Sequence, residues 1–312
     1  MKNSTMFRGA FVIAAGIALS GQLGASTIYY TNFSGRQIRS LDTVTKATTL
    51  VDSVPVAAGG NPDSLIFDST GRIVYTIYNG SPGEVRIFDP IANTDTLLAT
   101  GFSSQLVDVT LEPSLNTILV SDRGNNSIDR VNLTTGTVTL LGSAGAFGTV
   151  DGLTYDASGN LYAAVNTNIV KINPITGAVI TTGASTGVFL DGLTYDSVSN
   201  KLWAATGSCI YNFDLVTLAP SACIATPGFG GNDGIESDGA GHLFIAAASS
   251  ALVAQYTISS GTFLAVSNNL GSLDDIAPTS GLGAPPSAPE PAGFVLVSGG
   301  LGLLAFLRRK KA

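Results

Sequence analysis

The sequence predicts an all-β fold, a six-bladed β-propeller with four-stranded antiparallel blades, on three observations. A motif recurs about every 42 residues, strand-forming segments alternate with turn residues throughout, and an incomplete first unit is matched by a lone strand near the far end. Composition agrees. Hydrophobic residues make up 45% of the chain, too many for a disordered polymer. Charged residues reach only 12%, about half the usual share. Thirty-seven glycines among 312 residues, with abundant Ser, Thr and Asn, favour short strands joined by polar turns.

The repeat is plainest at Asp151-Gly-Leu-Thr-Tyr-Asp156 and Asp191-Gly-Leu-Thr-Tyr-Asp196. Each leads through a turn into a second strand, Leu161–Val165 and Leu202–Thr206. Asp233–Asp238 and Asp63–Asp68 follow the same plan, and Asp108–Glu112 is a looser copy. The Asp positions 63, 108, 151, 191 and 233 stand 45, 43, 40 and 42 residues apart. Two further strands complete each unit, divided by turn pairs such as Asp89-Pro90, Thr135-Gly136 and Thr176-Gly177.

The ends fix the blade count. The first unit has three strands, Thr27–Thr31, Gln37–Leu41 and Thr48–Val51. Leu273–Ala277 is an inner-strand motif with no blade after it. The C-terminal strand therefore closes the first blade, giving six blades over residues 27–278 with only short outer edges left.

On these residues the body resembles NHL-repeat propellers and the senescence-marker-protein/gluconolactonase family. The shared pattern is Asp-Gly-Leu-x-x-Asp-x-x-Gly-x-Leu-Tyr at 151–162, and Val120–Ile128 is similar to the NHL strand–loop–strand turn. The gluconolactonase resemblance implies a divalent metal held in part by an Asp such as Asp151 or Asp191. It also implies a Glu on the first blade, which this chain lacks.

Inner strands line the axis of a propeller, so their first residues gather at one mouth of the channel. Asp63, Asp151, Asp191, Asp233 and Asp274 share that register, with Asp275 as an alternative to Asp274. Carboxylates so close must bind a cation, stay solvated or hold protons. Oxygen ligands suit Ca²⁺ or Mg²⁺, and Asn232 offers an amide beside Asp233. The other role for these acids is to bond backbone N–H groups and fix the blades around the axis. Asp108 fits less well. Its turn acid, Glu112, comes one residue early, which puts Asp108 in the place of Gly152 and its side chain elsewhere.

The second acids, Asp68, Asp156, Asp196 and Asp238, open Asx-type turns. His242 falls at a solvent position of one such turn, and Trp203 reads as blade-packing core. Cys209 and Cys223 face each other across a hairpin and, in an exported chain, pair as a disulfide. In the chain-entropy model such a loop is worth about 3 kcal/mol.

Charge excludes one class of function. Residues 26–288 hold nine basic and 21 acidic residues, a formal charge of −12. So acidic a body repels nucleic acid. The chain also lacks a nucleophile–base set, with one histidine and two cysteines in all.

Both ends read as targeting segments. Residues 1–25 have the form of a signal peptide, with Lys2 and Arg8 before the apolar run Gly9–Leu19. Residues 279–288 form a linker rich in Pro, Gly and Ser. Pro289-Glu290-Pro291 follows, then an apolar stretch over 292–307 suited to a short transmembrane helix, then Arg308-Arg309-Lys310-Lys311. This tail, residues 289–312, resembles the PEP-CTERM sorting signal of Gram-negative bacteria. The resemblance implies an inner-membrane-anchored precursor, recognition by an exosortase, and transfer to the cell surface or extracellular matrix.

The sequence thus points first to an exported, non-catalytic binding or scaffold protein, with exopolysaccharide or other envelope components as partners. The alternative is a divalent-metal-dependent lactonase-like hydrolase with its metal at the channel mouth. The tail generates a direct expectation. Mature protein in the native host ends near Pro291 and leaves the inner membrane, whereas replacing Pro289-Glu290-Pro291 by alanines traps the full-length chain there. C-terminal peptide mapping of surface and membrane fractions checks this. Intact Lys311-Ala312 termini on surface-localised protein contradict it.

Overall fold

A computed structural model describes residues 27–113 and 116–279. The expected signal peptide, most of the linker and the sorting tail lie outside the described residues. Among the described residues no helix is long and apolar enough to cross a membrane.

Six four-stranded antiparallel sheets form the ring. Their inner strands are Leu273–Pro278, Asn61–Phe67, Leu106–Leu111, Val150–Tyr155, Leu193–Asp196 and Asn232–Ser237, which define blades 1 to 6. Blade 1 is the composite expected from the sequence: Leu273–Pro278 pairs with Thr27–Asn32, so the two ends of the body close the ring together.

The blades hold together through apolar residues between adjacent sheets. The third residue of each inner-strand motif, Leu65, Val109, Leu153, Leu193, Ile235 or Ile276, is buried. Fully buried Tyr30, Tyr75, Tyr162 and Phe244 fill the wider space further out. Trp203 is buried and packs on Tyr256, with ring centroids 5.7 Å apart.

Turn chemistry is regular. Asp68 Oδ1 accepts from the backbone N–H groups of Thr70 and Arg72, and Asp156 and Asp238 repeat the arrangement. His242 departs from its expected solvent position. Its Nδ1 lies 2.8 Å from Asp238 Oδ2, leaving 15% of the side chain exposed. The turn acid draws the ring inward. Cys209 and Cys223 form a disulfide with Cα atoms 5.6 Å apart, Cys223 standing one residue before the outer strand Ile224–Ala225.

Closure yields an expectation. Ending the chain at Gly271 exposes the edge of Thr27–Asn32 and removes Leu273 and Ile276 from the core. Full burial of such a side chain is worth about 1.5–3 kcal/mol. Thermal melting of this truncated protein shows a drop of many degrees or no cooperative transition. An unchanged melting temperature contradicts the composite blade.

Candidate functional site: the acid mouth of the channel

Strict strand alternation sends successive side chains to opposite faces. The inner strands break that rule where it matters. In blade 4, Val150 pairs with Val165 but Leu153 pairs with Ala163, so Asp151-Gly152 form a β-bulge. Equivalent register shifts fall at Asp63-Ser64, Val107, Asp233-Gly234 and Asp274-Asp275. A bulge re-aims side chains, and here both bulge positions contribute to the channel.

The mouth is a cavity of about 260 Å³. All five predicted acids, Asp63, Asp151, Asp191, Asp233 and Asp274, line it. The structure therefore brings the predicted cluster together. Val107, not Asp108, holds the first position in blade 3, as the early Glu112 implied. Asp108 does not turn away, however. It occupies the second position and lines the same cavity with Asp275.

The second positions fix the blades around the axis. In blades 4 and 5 the residue is glycine, and neighbouring strands approach closely. A Cβ on Gly152 would lie 2.4 Å from Leu193 N, and one on Gly192 would lie 2.8 Å from Asp233 O. The Gly152 and Gly192 N–H groups donate to the Asp191 and Asp233 carbonyls. Blades 3 and 1 bridge the gap with carboxyls. Asp108 Oδ2 accepts from Leu153 N, and Asp275 Oδ2 accepts from Leu65 N at 3.3 Å. The blade-fixing role considered for the first acids thus belongs to Asp108 and Asp275.

Proton counting constrains the charge. Ser64 Oγ lies 2.9 Å from Asp108 Oδ1 and 2.6 Å from Asp275 Oδ2. One hydroxyl supplies one proton, so one of these carboxyls must itself carry a proton and donate back. Burial holds Asp108 well above the usual carboxylate range, with the Asp275 charge adding to it, while burial raises Asp275 only to about 6 because Ser64 bonds its ionised form. Deeper in the channel Glu236 accepts from Thr194 Oγ1 at 2.9 Å, and burial beside Asp275 and Asp108 raises it strongly.

At the mouth Asp274 stands next to both Asp63 and Asp233, and carboxyls so close in a buried site cannot all be ionised. Burial first, and the neighbouring carboxyls second, push Asp233 up to about 10 and hold Asp63 and Asp274 well above their ordinary range.

The opposite wall carries Arg123, a cation that the repeat pattern of acids does not point to. It begins a short turn after the strand Thr117–Asp122. Asp122 ties that turn down by accepting from Ser103 N at 2.9 Å and from Asn125 Nδ2 at 2.8 Å. Arg123 is thereby aimed over the axis. Its Nη2 lies 2.8 Å from Asp151 Oδ1, and its guanidinium carbon lies 5.5 Å from the centre of the Phe189 ring. The Arg123 charge holds down Asp151 and Asp191, so burial raises these acids only to about 7 and about 6. Two polar atoms at this wall are buried without a hydrogen-bond partner, Asp151 Oδ2 and Arg123 Nε. Phe33 and Tyr78, with ring centroids 5.9 Å apart, form the aromatic part of the rim.

The residues do not fit a divalent ion as they stand. Among the described residues no three His, Cys, Asp or Glu side chains are grouped closely enough to hold one. Of the five first-position acids, Asp63, Asp233 and Asp274 are occupied with one another and Asp151 pairs with a guanidinium, which leaves Asp191. Asn232 is 1% exposed, and its Nδ2 donates to Thr206 O at 2.9 Å, away from the residues lining the mouth. Blade 1 carries no Glu in its four strands.

No protein-family model matches the sequence. No curated protein matches it either. Solved structures do. A structure titled as a nidogen/laminin complex aligns with TM-score 0.69 at 14% identity, covering 80% of this chain and 97% of that one. A Bacteroides caccae protein of unknown function gives TM-score 0.61 at 13% identity, covering 81% and 98%. Virginiamycin B lyase from Staphylococcus aureus gives 0.54 at 14% identity, covering 69% and 73%. The likeness is one of fold. It supports the six-bladed ring, and function rests on the site.

Proposed function

We propose that this chain is an exported binding or scaffold protein of the cell envelope that holds its ligand non-catalytically at the acid mouth of the propeller. The observation that carries this reading is Arg123. Its guanidinium pairs with Asp151, one of the acids a metal-dependent hydrolase would need as a ligand. Asp63, Asp233 and Asp274 crowd one another, so among the first-position acids only Asp191 stands outside these pairings, too little to grip a metal.

The topology supports the envelope part of the reading. The closing strand Leu273–Pro278 starts at the mouth, where Asp274 lies, and ends at Pro278. A tail held at a membrane would leave the mouth open to the outside. One structural neighbour is titled as a nidogen/laminin complex.

Calcium distinguishes this reading from the lactonase-like alternative. A cation bound at 100 times its Kd stabilises by about 2.7 kcal/mol, equivalent to roughly 5–11 °C for a domain of this size. The expected outcome is that differential scanning fluorimetry of the parent protein gives no such shift with millimolar Ca²⁺. In Arg123→Gln the orphaned acids lower the melting temperature and make it Ca²⁺-responsive. A large Ca²⁺ shift in the parent, abolished by changing Asp151, Asp191 and Asp233 to Asn, would overturn the proposal in favour of a metal site.

A further inference from the structure

We infer that the face of the propeller opposite the acid mouth rests on a zwitterionic bilayer surface, which it touches with aliphatic residues at the tips of four blade turns. This face is separate from the proposed binding site and acts whatever the mouth holds. It needs from the sequence reading only that residues 292–307 lie in a membrane.

Blade register places the tips. In blade 2 Ile73 pairs with Phe67, the last residue of the inner strand, and also with Phe88. The turn after Phe88 therefore lies at the end of the blade away from the mouth. Leu161 in blade 4, Leu202 in blade 5 and Ile28 in blade 1 set the same register. The four turns open on Asp89, Asn173, Asp214 and Asp42. Each Oδ1 accepts from the N–H groups two and three residues on, at 2.7–3.0 Å. This Asx geometry holds the tip residue outward. Ile91 is 93% exposed, Val216 86%, Ile175 85% and Val44 63%. A single exposed aliphatic needs no explanation. Four at one turn position on one face do. The corresponding residues of blades 3 and 6, Thr134 and Ser259, are polar.

Tips carried by separate blades, with polar turn residues between them, form no groove for a partner segment. A flat surface meets them together. The path of the chain brings such a surface to this face. Thr279 N donates to Thr27 O at 3.3 Å, and Thr27 pairs with Asp42, whose turn carries Val44. The described chain thus ends beside one of the tips. Twelve residues, 280–291, separate it from the apolar run over 292–307, a reach of at most about 43 Å. A tail anchored in a bilayer keeps this face nearer to lipid than the mouth.

Charge selects the lipid. The Thr45 and Val44 N–H groups hold the exposed Asp42 carboxyl below its ordinary range, and the Thr217 N–H does the same for Asp214. Both are ionised at neutral pH. An anionic bilayer would repel them, and so would the same face of a second copy. A zwitterionic surface takes up the aliphatic tips without that repulsion.

The test uses the full chain reconstituted in phosphatidylcholine vesicles that carry doxyl-labelled lipid, with Ile91→Trp, Ile175→Trp and Val216→Trp made singly. The native tryptophan, Trp203, is 3% exposed and gives a constant background. Ser34→Trp is the control, because Ser34 is exposed beside Phe33 at the mouth. Melting curves confirm the folding of each variant. The three tip variants are quenched at least about twofold more than Ser34→Trp. Quenching of Ile175→Trp falls by about half or more when Val44, Ile91 and Val216 are all changed to Ser, since binding scales with buried apolar area. It also falls when phosphatidylglycerol replaces part of the phosphatidylcholine at low salt. Tip quenching no greater than that of Ser34→Trp, on chains that float with the vesicles, overturns the inference and leaves the anchoring tail standing. Chains that do not float overturn both. Tip fluorescence sheltered without doxyl quenching, and rising with protein concentration, overturns it in favour of a second copy. Quenching that rises with phosphatidylglycerol overturns the choice of lipid.

Discussion

Everything distinctive about this molecule follows from crowding on one axis. Six inner strands converge there, so acids at the first position of five of them, with Asp108 and Asp275 at the second, become a cluster of acids inside the protein. Like charges at such spacing in a low-dielectric interior cannot all persist. The chain resolves the conflict with protons kept among Asp63, Asp274 and Asp233 and around Ser64, and with a single guanidinium, that of Arg123, among the residues lining the mouth. The glycines at the second positions are the steric side of the same constraint. Where adjacent strands touch through Gly152 and Gly192 there is no room for a side chain, and where they stand further apart Asp108 and Asp275 span the gap.

This division gives two families of carboxylate with opposite electrostatic character. The turn acids on the outside are satisfied in their ionised form. Asp68 is held below its ordinary range, burial being outweighed by bonds from Thr70 and Arg72. Glu112 is likewise held down against burial, chiefly by Arg130, which it meets at 2.6 Å, and by Thr117. These groups contribute stability at neutral pH that fades as pH falls. The channel acids bind protons more tightly in the folded protein than in the unfolded chain. Their contribution is greatest in mild acid and declines as pH rises.

Much of the architecture was legible in the sequence, because a blade is a local unit. The Asp-Gly-Leu-Thr-Tyr-Asp copies announce the inner strand and its turn together, and Leu273–Ala277 can only complete the unit that begins at Thr27. The five first-position acids were found for the same reason. What escaped notice depends on contacts between blades. Alternation alone sends Asp108 away from the axis, and only the bulge brings it back. Arg123 lies in a turn whose sequence was recognised, but its direction is set by Asp122 reaching Ser103 from the preceding blade. His242 is drawn inward by Asp238, a pairing visible in the spacing of four residues but not in the position of the turn.

The central claim is that the channel acids are neutralised by protons and Arg123, and the pH dependence of stability tests it most directly. Each carboxyl that keeps its proton only in the folded state makes unfolding easier by about 1.4 kcal/mol per pH unit as pH rises. With Asp151 at about 7 and Asp233 at about 10, the window runs from mild acid through neutrality. Urea unfolding measured between about pH 5 and pH 9 in the absence of divalent ions gives the slope directly. The account predicts a folding free energy that falls steadily across this range. A free energy that is flat or rises between the same limits would mean that the acids are already ionised in the folded ring, and would contradict it.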